Sequence, residues 1–205
     1  MRIPEPPLLL ITDRKQAHRN LFDIAEAAFA VGCRWLSVRE KDLPASEQIA
    51  LVAEIKKRAQ AWNARVTLHG DPDCALTANA DGVHLPAGSD VAAARNVLGL
   101  DALLGLSVHT IDDVKGIDPS VVDYIIAGPV FGTVSKPGHG PALGIKGISM
   151  IIAVSPVPVI AIGGIDRNRG PAILKHGAGG LAVMGGVMRA ADPAEEIGAI
   201  LKAFR

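Results

Sequence analysis

Two glycine pairs, Gly163-Gly164 and Gly185-Gly186, each stand between a short apolar run and a segment of helical period. A phosphate held by backbone N–H groups needs a close backbone approach that a Cβ would obstruct. A helix N-terminus adds unpaired donors and a favourable dipole. The pairs are therefore candidate phosphate-binding residues; the plainer alternative is that they only turn the chain. His109 closes the run Ser107-Val108-His109, and a histidine where an apolar strand stops can give and take a proton near neutral pH. In Ser37-Val38-Arg39-Glu40-Lys41, alternation puts Ser37, Arg39 and Lys41 on one side, which suits an anionic substrate. The alternative there is a solvated charge pair with Glu40. The segment Phe131 to Gly144 carries Thr133, Ser135 and Lys136, two hydroxyls and an ammonium able to grip phosphate oxygens, while its glycines and prolines suit a moving lid. His139, in the same segment, is read as incidental.

These residues need elements to carry them, and the chain supplies an alternation. Apolar runs at 8–12, 34–39, 65–69, 82–85, 103–108, 123–129, 158–162 and 181–184 read as strands. Helical segments follow them at 21–31, 46–62, 73–78, 90–98, 111–115, 145–153, 168–175 and 193–204. In the second helix Ile49, Val52, Ala53, Ile55 and Ala59 make one apolar face. Near-continuous apolar strands between helices imply a parallel sheet covered on both faces. Eight such units with no break in composition predict a single-domain (β/α)8 TIM barrel over 1–205. The competing architecture, an open doubly wound sheet, would place its phosphate glycines after the first strand. Asp13-Arg14-Lys15 stands there instead. In a barrel the polar residues at strand ends meet at one mouth, and Gly186-Val187-Met188 can begin the short extra helix of a barrel phosphate site. Gly177, Gly179 and Gly180 fall at the opposite end and read as a helix cap and tight turn.

His69 and His84 end or occupy neighbouring strands, which raises the question of a metal. No third ligand stands at a matching position; Asp71 precedes Pro72 in an apparent turn. The pair reads as hydrogen-bonded histidines near the barrel interior, with His69 placed to touch substrate.

Of the 205 residues, 49% are hydrophobic, 20% charged and 3% aromatic, values that exclude disorder. Twenty-one basic residues balance 21 acidic ones, so neither nucleic acid nor an anionic membrane is an expected partner. Cys33 and Cys74 lack metal-site spacing and form no disulfide framework. The apolar run after Pro7 is too short for a signal core or a span, which predicts a cytoplasmic protein. Homo-oligomerisation is left open.

Several segments carry a family resemblance. Leu9-Leu10-Ile11-Thr12-Asp13-Arg14, Arg39-Glu40-Lys41-Asp42, Asp81-Gly82-Val83-His84-Leu85, Gly105-Leu106-Ser107, Asp123-Tyr124-Ile125 with Gly128-Pro129-Val130-Phe131, and the run from Pro158 to Ile165 resemble thiamine phosphate synthases in order along nearly the whole chain. The resemblance implies a (β/α)8 barrel of thiamine metabolism that joins hydroxymethylpyrimidine diphosphate to a thiazole phosphate with magnesium. Three positions depart from it. Ser37 stands where the pattern has Gln, His69-Gly70 where it has Asn-Asp, and Ser89 where it has a second metal Asp, with Asp90 one residue on. Magnesium takes hard oxygen ligands, commonly one or two carboxylates besides substrate phosphates, so these losses count against diphosphate ionisation.

The departures resemble the sister branch, the thiazole tautomerases (TenI-like proteins), which share the Leu-Pro-x-Gly-Ser run after strand four and Ser-Val-His after strand five. That likeness implies a metal-free proton transfer on a thiazole carboxylate phosphate, with His109 as the catalytic residue and no cofactor. The sequence therefore predicts a tautomerase first, a magnesium-using thiamine phosphate synthase second, and a non-catalytic phosphate-binding regulator of thiamine supply third.

Overall fold

Each apolar run becomes a strand because its residues can be buried on both sides, one set by helices and the other by the barrel interior. The computed structural model describes residues 3–133 and 142–205. The strands are β1 (Leu8–Ile11), β2 (Trp35–Val38), β3 (Arg65–His69), β4 (Gly82–Leu85), β5 (Leu103–Val108), β6 (Tyr124–Ala127), β7 (Val159–Ile162) and β8 (Gly180–Val183). Every neighbouring pair is parallel, and β1 pairs with both β2 and β8, so the sheet closes in sequence order. Closure excludes the open doubly wound sheet. The helices are α1 (Leu21–Ala30), α2 (Ala45–Ala59), α3 (Pro72–Thr77), α4 (Val91–Leu98), α5 (Gly144–Val154), α6 (Gly170–Lys175), α7 (Gly185–Met188) and α8 (Pro193–Leu201). The segment expected to be helical at 111–115 forms only a 3-10 turn, Asp112–Val114. Strand six ends two residues earlier than expected. Asp71 is not in a free turn: its side chain accepts from the Cys74 amide and caps α3, with Pro72 in the first turn. Among the described residues no helix is long and apolar enough to cross a membrane.

The period of two divides each strand between two cores. Leu8, Leu10, Leu36, Val38, Val66 and Leu68 face the helices. Leu9, Ile11, Trp35, Leu103, Tyr124, Ile126, Ile160, Ala182 and Met184 fill the barrel. Gly105 makes room inside: a Cβ there would lie 2.1 Å from Tyr124 Cζ. Tyr124 meets Trp35 edge to face at 4.7 Å between ring centres and lies along His84 at 5.6 Å, with 27° between planes. His84 in turn lies 4.6 Å from the His69 ring. A column of rings thus rises from the barrel floor toward the mouth.

At the floor, Arg95 ties α4 to the strands. Its guanidinium donates to the carbonyls of Gly99, Ala102 and Val121 and to Asp123, whose carboxylate also accepts from the Leu104 amide.

Candidate active site

The mouth at the C-terminal ends of the strands holds a cavity of about 340 Å³. Arg39, His69, His84, Ser107 and His109 line one side of it, and Thr133, Gly163, Gly164, Gly185 and Gly186 the other. Strand alternation explains the first group, since Ser107 on β5 with His109 just past its end, and His69 and His84 on β3 and β4, all fall on the inward phase.

His109 is fixed twice. Its amide donates to Asp113 Oδ2 at 2.7 Å, and its ring Nδ1 lies 2.9 Å from the Gly128 carbonyl oxygen. A carbonyl can only accept, so Nδ1 carries a proton and Nε2 is the basic nitrogen of the neutral ring. Asp113 also accepts from the Thr110 amide. Burial works against the ionised Asp113, but the His109 and Thr110 amides and the Thr110 hydroxyl outweigh it and hold the carboxyl below its ordinary value.

Deeper in, His84 Nε2 and Ser107 Oγ are 2.8 Å apart. His84 is fully buried and Ser107 half-buried. Burial, with a smaller push from the Asp123 charge, raises the Tyr124 phenol far above its usual range, so Tyr124 stays neutral.

The three residues of β2 and the segment after it part company. Ser37 is fully buried beside Ile11 in the β1–β2 register and does not line the cavity, although Ile11 does. Arg39 lines the cavity; its amide donates to Thr12 Oγ1 at 2.9 Å, and its buried Nε has no hydrogen-bond partner among the described residues. Lys41 instead lines an adjoining groove with Gly70, Ser89 and Asp90. Although much of Lys41 is exposed, desolvation and then the Arg39 charge lower its pKa. Glu40 pairs with neither cation: it is 2% exposed, accepts from the Arg14 amide and faces the Arg14 guanidinium. Ser135, Lys136 and His139 lie outside the described residues.

At the far end, Gly163 has φ +101° and Gly164 φ +62°. A Cβ on Gly163 would come 2.6 Å from Pro129, and one on Gly164 2.8 Å from the Gly132 carbonyl. Backbone conformation and packing already require glycine at these two positions, whatever they bind. Gly186 is different, because a Cβ there would meet nothing within 4 Å. Sequence reasoning missed two cations here, Arg169 and Arg189, both lining the cavity. Arg169 donates to the Gly164 carbonyl and lies over the Phe131 ring at 4.9 Å. Arg189 donates to Gln16 Oε1. The available signal was position: each follows its glycine pair within one or two turns.

The residues at the ends of β3 and β4 do not fit magnesium. Gly70 offers no side chain, and the Ser89 hydroxyl donates to the Pro86 carbonyl. Asp71 and Asp90 each commit an oxygen to capping α3 and α4. Among the described residues, no three His, Cys, Asp or Glu side chains come together as a metal site.

The family model for thiamine monophosphate synthases (TMP-TENI) matches residues 8–187. A Geobacter sulfurreducens protein provisionally named thiamine-phosphate synthase is 37% identical over 95% of this chain and 92% of its own length. The thiamine-phosphate synthase of a Roseiflexus species is 34% identical over 90% of this chain and 79% of its own. Among solved structures, the thiamine phosphate pyrophosphorylase from Pyrococcus furiosus superposes with a TM-score of 0.85 at 26% identity, covering 96% of this chain and 94% of that one. By name, these relatives favour the synthase expectation over the tautomerase one.

Proposed function

Because this chain belongs to the thiamine monophosphate synthase (TMP-TENI) family, we propose that it is a thiamine-biosynthesis enzyme that binds a thiazole phosphate at the barrel mouth and moves a proton on the thiazole ring without metal. The observation carrying this reading is His109. The Gly128 carbonyl holds its Nδ1–H, which leaves Nε2 as a positioned base in a cavity whose neighbouring strand ends carry Gly70 and Ser89 rather than carboxylates.

The phosphate enters beside Gly185-Gly186 and Gly163-Gly164, where backbone amides with Arg169 and Arg189 hold its charge. Arg39, with an unpaired donor and lining the same cavity, takes a second anionic group of the substrate, and Thr133 contributes a hydroxyl. The ring then lies over the inward face of β5. His109 Nε2 accepts a proton at one ring position as the bond pair moves into the ring, and gives a proton back at another. Fixing both partners is worth much of the barrier in such intramolecular steps. A small-molecule substrate, no cofactor and a cytoplasmic location complete the reading.

A second reading, thiamine phosphate synthase, is favoured by the names of the relatives. It requires ionising a diphosphate at a mouth where the two expected metal carboxylates are Gly70 and Ser89.

One set of assays separates the two. Purified protein is given the thiazole carboxylate phosphate tautomer without magnesium and, separately, hydroxymethylpyrimidine diphosphate plus thiazole phosphate with magnesium. The first reading expects turnover only in the first assay, with His109→Ala lowering kcat by about 10²- to 10⁴-fold. Magnesium-dependent thiamine phosphate formation with no tautomer turnover would establish the second. A fully active His109→Ala would remove His109 from the chemistry.

A further inference from the structure

Ser107 on β5 and His109, the residue just past its end, stand two residues apart in the same inward phase, a rise of about 6.6 Å in extended chain, and both line the cavity. One catalytic histidine uses only the upper of the two. Below it, Ser107 Oγ meets His84 Nε2 at 2.8 Å; in the tautomer whose Nε2 accepts, this is the relation that activates a hydroxyl for proton transfer. The surroundings hold this pair in place. His84 lies opposite Gly105 in the β4–β5 register. The missing side chain at Gly105 lets the Tyr124 ring lie along His84, and the His69 ring covers another side of it. His84 forms part of the cavity wall but has no surface open to solvent, so its Nε2 acts through Ser107, which is half-buried.

We propose that Ser107 and His84 form a second proton-transfer arm of this cavity, so that the two transfers of the ring isomerisation are divided between two groups. The inference rests on the tautomerase reading and refines it: deprotonation passes to the Ser107–His84 arm, and His109 keeps the delivery. Ser107 Oγ takes the proton from one ring position as its own proton passes to His84 Nε2, and the C–H bond pair enters the ring. His109, in its imidazolium form, gives its Nε2 proton at the other position. The substrate gains and loses one proton, His84 ends one proton richer and His109 one poorer. Both are restored by water, His109 directly because it is exposed and His84 back through Ser107. No oxidant, reductant or metal enters the balance. Ser107 is the catalytic residue of this arm, and His84 acts through it as a positioning and relay residue.

The test uses the full chain and a thiazole carboxylate phosphate tautomer carrying deuterium at the acidic ring position, in ordinary water. Ser107→Ala is expected to lower kcat by roughly 10²- to 10³-fold with KM within about threefold of the parent. His84→Gln should lose a similar factor, and the double variant no more than the worse single one, because groups acting as a unit are not additive. Ser107→Thr, which keeps the hydroxyl, should recover activity to within about tenfold of the parent. In the parent protein the deuterium should be lost to water, since the group that removes it is not the group that delivers. A Ser107→Ala variant with kcat within threefold of the parent, or deuterium carried into the new bond of the product, overturns the arm. Ser107→Ala removes one oxygen at a half-buried position, so it remains informative even if His84→Gln folds poorly. A parent protein that leaves the tautomer unchanged overturns the tautomerase reading together with this one. A parent that turns over with Ser107→Ala equally active overturns this one alone.

Discussion

Replacing Gly186 with Ala should move stability and ligand binding in opposite directions. A Cβ at Gly186 meets nothing within 4 Å, the residue is exposed, and it lies inside α7. Glycine in a helix costs about 0.5–1 kcal/mol relative to alanine. At roughly 2–4 °C per kcal/mol for a chain of this size, Gly186→Ala should raise Tm by about 1–4 °C. The same methyl stands where a phosphate would approach the amides of α7. Losing one charge-assisted amide bond costs about 1.5–3 kcal/mol, which at 1.4 kcal/mol per decade weakens binding roughly 10- to 150-fold. Isothermal titration with thiazole phosphate and a thermal melt of the free protein read the two effects separately. A Kd within twofold of the parent, alongside the expected melt, would refute the placement of the phosphate at Gly186. Gly164→Ala cannot make this separation, because its φ of +62° and the Gly132 carbonyl 2.8 Å from the new Cβ damage the fold at the same time.

Gly105→Ala should destabilise by about 1–3 kcal/mol or more, since the new Cβ would sit 2.1 Å from the Tyr124 ring and that ring is wedged between Trp35 and His84; a thermal or urea melt reads the loss. Arg95→Met should cost about 3–5 kcal/mol by removing the guanidinium that faces the buried Asp123 carboxylate, with the two side chains only 7% and 9% exposed; an unchanged urea midpoint would contradict it. The Asp113 carboxyl is held below its ordinary value of 3.8 in the folded chain, so its contribution to stability is present above that value and is lost as pH falls through the lower folded value. Asp113→Ala should therefore melt below the parent at pH 7, and the gap should narrow as pH falls below 3.8. A gap that widens on acidification would show the sign to be wrong.

The fold was legible because its signals are local. A run such as Val66-Thr67-Leu68, or the helical stripe of α2, states its period within a few residues, and the limits of β3, β4 and β5 match the sequence reading to the residue. Errors arose where tertiary demand overrode composition: Asp71-Pro72 reads as a turn but caps a helix, and the segment after β5 closes as one 3-10 turn. The site was legible in kind more than in arrangement. His109, Arg39, Thr133 and the glycine pairs share one cavity, whereas Lys41 falls in the next groove and Ser37 is buried away from the lining. Alternation gives the side of a strand, not the height at which the barrel narrows.

The sequence by itself determined the eight strand–helix units, the family, and the presence of Gly70 and Ser89 after β3 and β4, since these are matters of residue type and order. Only the tertiary structure decided what the remaining groups do to one another. It set Gly128 against His109 Nδ1 across 19 positions, joined Ser107 to His84 across 23, and brought Arg169 onto Phe131 beside Gly164. Such contacts depend on barrel closure and shear, which place distant residues at one height around the mouth, and no local pattern along the chain encodes that height.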